Sequence, residues 1–136
     1  MYEKPFTLEI VSPARVVFSG GATSFSAPGV EGGFQVLANH APFLSSLGIG
    51  EIKVKGTDGR DMRYSTNGGF VEVRGNHVVV LVEAAERSDE IDVQRAAASR
   101  ERAEKRLRTQ AKDIDHERAR ASLYRALNRL RVAAKA

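Results

Sequence analysis

The sequence predicts an all-β N-terminal domain, an antiparallel β-sandwich or flattened barrel, followed by a C-terminal α-helical hairpin. Residues 1–87 alternate apolar and polar side chains between glycine-centred turns, whereas residues 88–136 contain no glycine and no proline. The charge changes at nearly the same place, because residues 1–90 carry 8 Lys or Arg against 11 Asp or Glu, and residues 91–136 carry 13 against 6. We therefore expect a slightly acidic β-domain over 1–87 and a basic helical domain over 88–136.

Short apolar runs predict the strands in order along the chain. Phe6, Leu8 and Ile10 alternate with their neighbours in the way that is typical of a strand with one buried face. The Asp58-Gly59 pair indicates a hairpin turn, because such turns require positive φ angles. Further strands are predicted at residues 16–18, which Gly20-Gly21 should end, and at 34–37, 48–55, 62–66, 70–73 and 78–82. Many short strands at regular spacing favour the antiparallel sandwich or flattened barrel.

The C-terminal residues repeat with helical spacing. Ser88 or Asp89 can cap a first helix that runs to about Gln110, and Asp113 can cap a second helix. The connection between them is short, so the helices should fold back as an antiparallel hairpin. One unbroken helix over 91–132 would also satisfy the backbone, because no glycine or proline interrupts it.

The apolar stripes of the two helices predict a seam that is mostly alanine. The stripes comprise Val93, Ala96, Ala97, Ala103, Leu107 and Ala111 on the first helix, and Ala119, Leu123, Ala126, Leu127, Leu130 and Ala134 on the second. The larger members of the seam are Leu107, Ile114, Leu123, Leu127 and Leu130. Small side chains gain little from burial, so we expect the hairpin to lie close to balance between closed, open and frayed forms.

Arginines form a stripe on each predicted helix. Arg118, Arg125 and Arg129 lie within roughly 40° of one another at about 100° per residue. Arg125 and Arg129 have no acidic residue three or four positions away on the helix. The stripe on the first helix consists of Asp92, Arg95, Ser99, Arg102 and Arg106. Such stripes fit solvated helix faces, an acidic protein helix or a polyphosphate ligand.

The sequence lacks the residues that several classes of function require. The chain has no cysteine, and its three histidines, His40, His77 and His116, are scattered, so we expect no metal site. His40 should be a loop residue that contacts the backbone. The sequence has no phosphate-binding loop and no nucleophile elbow, which disfavours a small enzyme.

Two general expectations concern location and partners. The chain has no run of 18 apolar residues and no signal-peptide core at its start, so we expect a soluble, intracellular protein. A nucleic-acid-binding module that uses the basic arm is an alternative function. The absence of a basic patch interleaved with aromatic residues on the strands disfavours it.

Three stretches of the sequence resemble one family. They are residues 32–42, which end in His40-Ala41-Pro42; residues 67–73 together with 76–81; and residues 85–92, which continue into the Ala- and Arg-rich helices. With these stretches, the whole chain resembles the ε subunit of the bacterial F-type ATP synthase. Gly33, Gln35 and Ala38 depart from the residues that are usual in this family.

The resemblance implies a non-catalytic rotor subunit with several protein partners. The β-sandwich would dock between the γ subunit and the ring of c subunits, with Glu31 and His40 at the docking surface. The hairpin would either pack on the sandwich or extend along γ to the α and β subunits. Extended, it would present Arg118, Arg125 and Arg129 to an acidic segment of α and β and inhibit ATP hydrolysis. Such a protein is peripheral on the cytoplasmic face of the bacterial cell membrane, does not insert into it and binds no nucleic acid.

A further match is to those ε subunits, of the Bacillus type, that bind ATP. Residues 91–96 resemble the motif Ile/Leu-Asp-x-x-Arg-Ala of these relatives. The resemblance implies that Glu86 and Asp92 lie at the adenine end and that arginines hold the phosphates. The implied ATP-binding residues are Glu86, Asp92, Arg95, Ala96, Arg102, Arg125 and Arg129. ATP would then be a regulatory ligand of the closed hairpin rather than a required cofactor, with the need for Mg²⁺ left open.

Overall fold

The computed structural model describes residues 4–109 and 114–136. Within these residues, nine strands form a sheet: β1 Phe6–Val11, β2 Val16–Ala27, β3 Phe34–Val36, β4 Phe43–Leu47, β5 Gly50–Gly56, β6 Asp61–Thr66, β7 Gly69–Arg74, β8 His77–Val82 and β9 Ala85–Arg87. A 3₁₀ turn, Ser88–Glu90, leads to two helices, α1 Val93–Arg108 and α2 His116–Ala133. The predicted fold class, a β-sandwich followed by a helical hairpin, is confirmed.

The sheet folds around one hydrophobic core. Its strand order is β4-β7-β8-β1-β2-β5-β6-β9, and β3 pairs with β2. Neighbouring strands are antiparallel except for β1 and β8, which pair in parallel with Leu8 opposite Val78. Leu8, Phe25, Ile52 and Val80 are completely buried and belong to the same core cluster. The alternation read from the sequence therefore corresponds to one face of the sheet turned inward.

Of two glycine-based predictions, one turn is confirmed and one strand end is wrong. Gly59 has a φ of 83°, which confirms the predicted Asp58-Gly59 hairpin turn between β5 and β6. In contrast, Gly20 and Gly21 do not end the second strand, because they pair with Leu8 and Thr7 of β1 inside the long strand β2. Pairing across the sheet has outweighed the local preference of two adjacent glycines for a turn.

Both helices begin later than predicted. Ser88 and Asp89 lie in the 3₁₀ turn and do not cap α1. Asp92 caps it instead, and its Oδ1 accepts a hydrogen bond of 3.0 Å from the Arg95 backbone N–H. The delay has a physical reason, since the extended residue Ile91 is buried between the turn and the helix.

The second helix has the same kind of cap. Asp115 Oδ1 accepts a hydrogen bond of 3.0 Å from the Arg118 backbone N–H, and α2 starts at His116. The predicted cap Asp113, the predicted helix end Gln110 and the predicted seam member Ala111 lie outside the described residues. Thr109 is extended after α1, so the chain adopts the hairpin and not the single unbroken helix.

The helical seam is built from alanine, as predicted, but α2 is rotated relative to the predicted stripe. The buried alanines are Ala96, Ala103, Ala119 and Ala126, none more than 2% exposed. Leu127, predicted in the seam, is 41% exposed, and Val93, predicted on the apolar side of α1, is 52% exposed. Asn128 and Val132 are buried instead, because their side of α2 packs against β5 and β6.

Polar contacts hold α2 on the sandwich. The Asn128 amide Nδ2 donates to the Gly50 carbonyl oxygen at 2.8 Å and lies 3.1 Å from the Ser65 hydroxyl oxygen. At the end of the helical region, Lys135 Nζ lies 2.7 Å from Glu51 Oε2, and Arg63 pairs with the same carboxylate. Docking therefore depends on a few specific polar groups as well as on apolar burial.

Glu51 makes one of these contacts dependent on pH. Burial raises the pKa of its carboxyl group, but hydrogen bonds and charge from Lys135 and Arg63 lower it by more, so the net pKa lies below its ordinary value of 4.5. A carboxylate whose pKa is lowered by folding contributes stability above its unfolded pKa and loses it as the pH falls through the folded pKa.

We expect Glu51→Gln to reduce the free energy of unfolding by about 1 kcal/mol at neutral pH, since the pair is partly exposed. Urea denaturation at about pH 7 and at about pH 3 measures the free energy of unfolding of the variant and of the unsubstituted chain, and the difference between the two values is compared at each pH. The difference should shrink at the lower pH, because Glu51 of the unsubstituted chain is then protonated when the chain is unfolded, and it gives up its ion pairs as the pH falls towards its lowered folded pKa. A difference of equal size at both pH values would contradict the assigned role of the carboxylate.

Candidate functional site

The two helices and the sandwich enclose a cleft of about 430 Å³. Five arginines line it, three from α1 and two from α2: Arg95, Arg102, Arg106, Arg125 and Arg129. The sandwich contributes Asn67 and Glu86, and small residues complete the wall: Ser99, Ala103, Ser122 and Ala126. Because these residues are small, a space remains between the helices, and the five arginines line that space.

Serines one helical turn earlier contact two of these arginines. Arg102 Nη2 donates to Ser99 Oγ at 3.1 Å on α1, and Arg125 Nη2 donates to Ser122 Oγ at 3.2 Å on α2. Because a hydroxyl group is neutral, each bond orients a guanidinium group without cancelling its charge. The same Ser-x-x-Arg spacing thus supplies one oriented cation from each helix.

Arg129 is held differently, by a carboxylate of the sandwich. Its Nη2 donates to Glu86 Oε2 at 3.0 Å, and its buried Nε comes within 2.7 Å of Oε1 without the alignment of a hydrogen bond. Within residues 4–109 and 114–136, Arg129 is the only one of the five arginines that forms an ion pair. The cleft therefore holds an excess of positive charge and is suited to an anion with several oxygen atoms.

The structure brings together most, but not all, of the residues implied by the resemblance. Glu86, Arg95, Arg102, Arg125 and Arg129 line the cleft. Asp92 and Ala96 do not line it: Asp92 is the N-cap of α1 through its bond to the Arg95 N–H, and Ala96 is completely buried in the helical seam. Asp92 thereby fixes the start of α1.

Arg118 lies apart from Arg125 and Arg129. It lines a separate cavity of about 340 Å³ near the start of α2, together with Ile114, Asp115, Ala119 and Arg106. The predicted stripe of three arginines is therefore divided between two sites in the closed hairpin. Arg106 lines both cavities.

Four polar residues of the cleft were not assigned to a site from the sequence. Arg106 and Ser99 belong to the stripe recognised on α1, and their spacing could have identified them. Ser122 could have been identified by its Ser-x-x-Arg spacing, which is the same as that of Ser99. Asn67 follows β6, and only the docking of α2 on the sandwich brings it to the cleft.

The two predicted rotor-docking residues lie in the segments on either side of β3. Glu31 is exposed in a turn. The Nδ1 atom of His40 lies 2.7 Å from the Ala41 carbonyl oxygen, and its ring meets the Phe43 ring edge-on at 5.7 Å. The expectation that His40 is a loop residue in contact with the backbone is confirmed.

Two further findings apply to the described part of the chain. There, no group of three or more His, Asp or Glu side chains is placed to hold a metal ion. The helices of residues 4–109 and 114–136 also include none with the length and apolar character that crossing a membrane requires.

Two family models match consecutive parts of the chain. The model of the ATP synthase delta/epsilon chain beta-sandwich domain matches residues 5–88, and that of the delta/epsilon chain long alpha-helix domain matches residues 89–134. Bacterial relatives are similar over most of their length. The ATP synthase epsilon chain of Pelotomaculum thermopropionicum is 50% identical over 107 residues, 79% of each chain. That of Syntrophomonas wolfei is 43% identical over 113 residues, 83% of this chain and 82% of the relative.

Solved structures share the fold at low sequence identity. A chain in the mitochondrial ATP synthase of Euglena gracilis, described as OSCP/F1/c-ring, has a TM-score of 0.83 at 19% identity and is matched over 100% of this chain and 85% of that one. A chain in the central stalk/c-ring structure of Tetrahymena thermophila has a TM-score of 0.58 at 15% identity, over 99% of this chain and 98% of that one. Since the two family models together cover nearly the whole chain, it belongs to the delta/epsilon family of ATP synthase subunits.

Proposed function

We propose that the chain is the ε subunit of a bacterial F-type ATP synthase, a non-catalytic subunit whose C-terminal hairpin is closed by ATP. The names of its bacterial relatives and the central stalk and c-ring of the matched structures support this role. Residues 1–87 would dock on γ and the c-ring through the loops that carry Glu31 and His40. Residues 88–136 would regulate the enzyme at the cytoplasmic face of the membrane.

The observation that carries the regulatory proposal is the cleft with five arginines between α1 and α2. Guanidinium groups bind phosphate oxygens through two parallel hydrogen bonds. The anionic phosphates of a nucleoside triphosphate therefore complement the positive charge of this cleft. Three arginines belong to one helix and two to the other, and a ligand can contact both sets only in the closed hairpin. Binding to the closed form alone stabilises it by about 2.7 kcal/mol when the ligand is at one hundred times its Kd.

The same arginines connect ATP binding to inhibition. Arg125 and Arg129 line the cleft in the closed form, and with Arg118 they would contact the acidic segment of α and β in the extended form. A bound triphosphate would occupy two of these three cations. ATP and the acidic segment would therefore compete for the hairpin, and abundant ATP would relieve inhibition of ATP hydrolysis.

Arg125→Ala tests the site directly. We expect this substitution to weaken ATP binding by about tenfold or more in calorimetry of the full chain, because it removes a charged hydrogen-bond donor. Arg120→Ala is the matched control, since Arg120 lies on α2 but does not line the cleft. The control should change the affinity by less than about twofold. Absence of ATP binding to the unchanged chain, or equal affinities in all three chains, would refute the proposed site.

The inhibitory role has a separate test. Added to the α, β and γ subunits, the unchanged chain should inhibit ATP hydrolysis, and raising the ATP concentration should reduce the inhibition. If the chain binds γ but does not inhibit ATP hydrolysis, the proposed structural role stands and the proposed regulatory role is refuted.

A further inference from the structure

We propose that Ser99 and Ser122 are phosphate-binding residues, and that each hydroxyl group holds a guanidinium group while it donates its own hydrogen atom to the same phosphate. This inference rests on the proposed function and adds two uncharged donors to its site. The observations behind it are the composition of the two helices and the hydrogen bonds that the two serines accept in the cleft.

Serine occurs in the two helices only where they face the cleft. Over Val93–Arg108 and His116–Ala133, each helix contains four alanines and a single serine, and both serines line the cleft. Alanine is the stronger helix former, because the serine hydroxyl group competes for backbone hydrogen bonds. Helix stability alone would therefore favour alanine at both positions, so the two hydroxyl groups indicate a role in the cleft.

Each serine accepts a hydrogen bond from the arginine one turn further along its helix. Arg102 Nη2 lies 3.1 Å from Ser99 Oγ, and Arg125 Nη2 lies 3.2 Å from Ser122 Oγ. A hydroxyl oxygen has two lone pairs and one hydrogen atom, and this hydrogen atom rotates about the Cβ–Oγ bond. After it has accepted a bond from the guanidinium group, each hydroxyl group still has its hydrogen atom to donate.

A serine and its arginine can therefore donate to one phosphate together. The oxygen atoms of an ionised phosphate are acceptors, so they can bind the guanidinium N–H groups and the neighbouring O–H group at the same time. The bond between serine and arginine stays intact in this arrangement. Because the guanidinium group is already oriented, it loses less side-chain freedom when the ligand binds.

An acidic residue at the same spacing would have a different effect. Glu86 shows this in the same cleft, where its carboxylate pairs with Arg129. An ionised carboxylate also orients a guanidinium group, but it offsets the positive charge and has no hydrogen atom to donate. The serines orient Arg102 and Arg125 and leave their charge available to an anion.

The alternative is that the serines are present only because their small side chains leave space between the helices. Alanine is as small and forms helices more readily, so serine-to-alanine substitutions would then leave ATP binding unchanged or strengthen it. The binding role predicts the opposite sign, because each substitution removes one donor to the ligand and one partner of an arginine.

Calorimetry of the full chain with ATP separates these cases. Ser99→Ala and Ser122→Ala should each weaken ATP binding about fivefold, as expected for the loss of one net hydrogen bond. Thermal melting without ATP, followed by circular dichroism, should show equal or higher stability in both variants, because alanine is the better helix former. Ser122→Thr keeps the hydroxyl group and should bind ATP within about twofold of the unchanged chain.

Ala98→Ser is the matched control, because it is the reverse exchange at an exposed position of α1 that does not line the cleft. It should leave ATP binding unchanged. Unchanged or tighter ATP binding in an alanine variant would overturn the inference for that serine. A loss of affinity that is accompanied by a lower melting temperature would also overturn it, and so would an equal loss in Ser122→Thr and Ser122→Ala. Failure of the unchanged chain to bind ATP would instead remove the proposed function.

Discussion

Replacing Ala103 with leucine should open the helical hairpin and weaken ATP binding by at least about tenfold. Ala103 is 2% exposed in α1, and the equally buried Ala126 of α2 lines the same cleft. Leucine adds three carbon atoms where the helices are packed through alanine side chains, and such overpacking typically costs about 1–3 kcal/mol. A hairpin held by small side chains has little free energy with which to offset this cost, so the closed fraction should fall.

Calorimetry with ATP measures this effect, and circular dichroism shows whether the helices persist. Ala98→Leu is the matched control, because Ala98 is exposed on the same helix and the substitution is identical. The control should bind ATP as the unchanged chain does. Retention of full ATP affinity by Ala103→Leu would show that binding does not require the close seam of α1 and α2.

Replacing Asn128 with leucine should release α2 from the sandwich. Asn128 is 1% exposed, and its amide group bonds to the Gly50 carbonyl oxygen and the Ser65 hydroxyl group. Leucine has a similar size but leaves both groups without this partner, at about 1–3 kcal/mol for each buried group that stays unsatisfied. The released helix would lose its protection from solvent, while the sandwich keeps its own core.

Hydrogen exchange of the α2 amides measures this release. Arg131→Leu is the comparison variant, because Arg131 is exposed and its Nη2 donates to the opposite atom of the same amide, Asn128 Oδ1, at 3.1 Å. It should change the exchange much less, since water can replace the lost donor. Unchanged protection of α2 in Asn128→Leu would show that the polar contact does not hold the helix on the sandwich.

Local sequence signals were sufficient for the fold class and for the arginines of the cleft. The alternation of Phe6, Leu8 and Ile10 identified a strand whose inner face is buried, and the Asp58-Gly59 pair identified a turn with a positive φ. The spacing of the arginines identified the helix faces that meet in the cleft. These features depend on periods of two and 3.6 residues, which the sequence displays directly.

Features that depend on contacts distant in sequence were not predictable in the same way. The prediction that Leu127 lies in the seam was wrong, because docking on β5 and β6 rotates α2 so that Asn128 is buried instead. Arg129 has no acidic neighbour on its own helix, and its partner Glu86 is 43 residues away in the chain. Helical periodicity gives the direction of a side chain but not the surface that it meets.

The most direct test of the account is the distance between the two helix ends with and without ATP. The chain has no cysteine, so spin labels can be attached at Gln94→Cys and Ala134→Cys, both exposed positions. Bound to α, β and γ with ATP, the chain should show one short distance, as expected for helices that lie side by side about 8–10 Å apart. Bound to α, β and γ without ATP, it should show a population that approaches about 60 Å, the length of 40 helical residues. The same distance distribution in both conditions would contradict the coupling of ATP to hairpin closure.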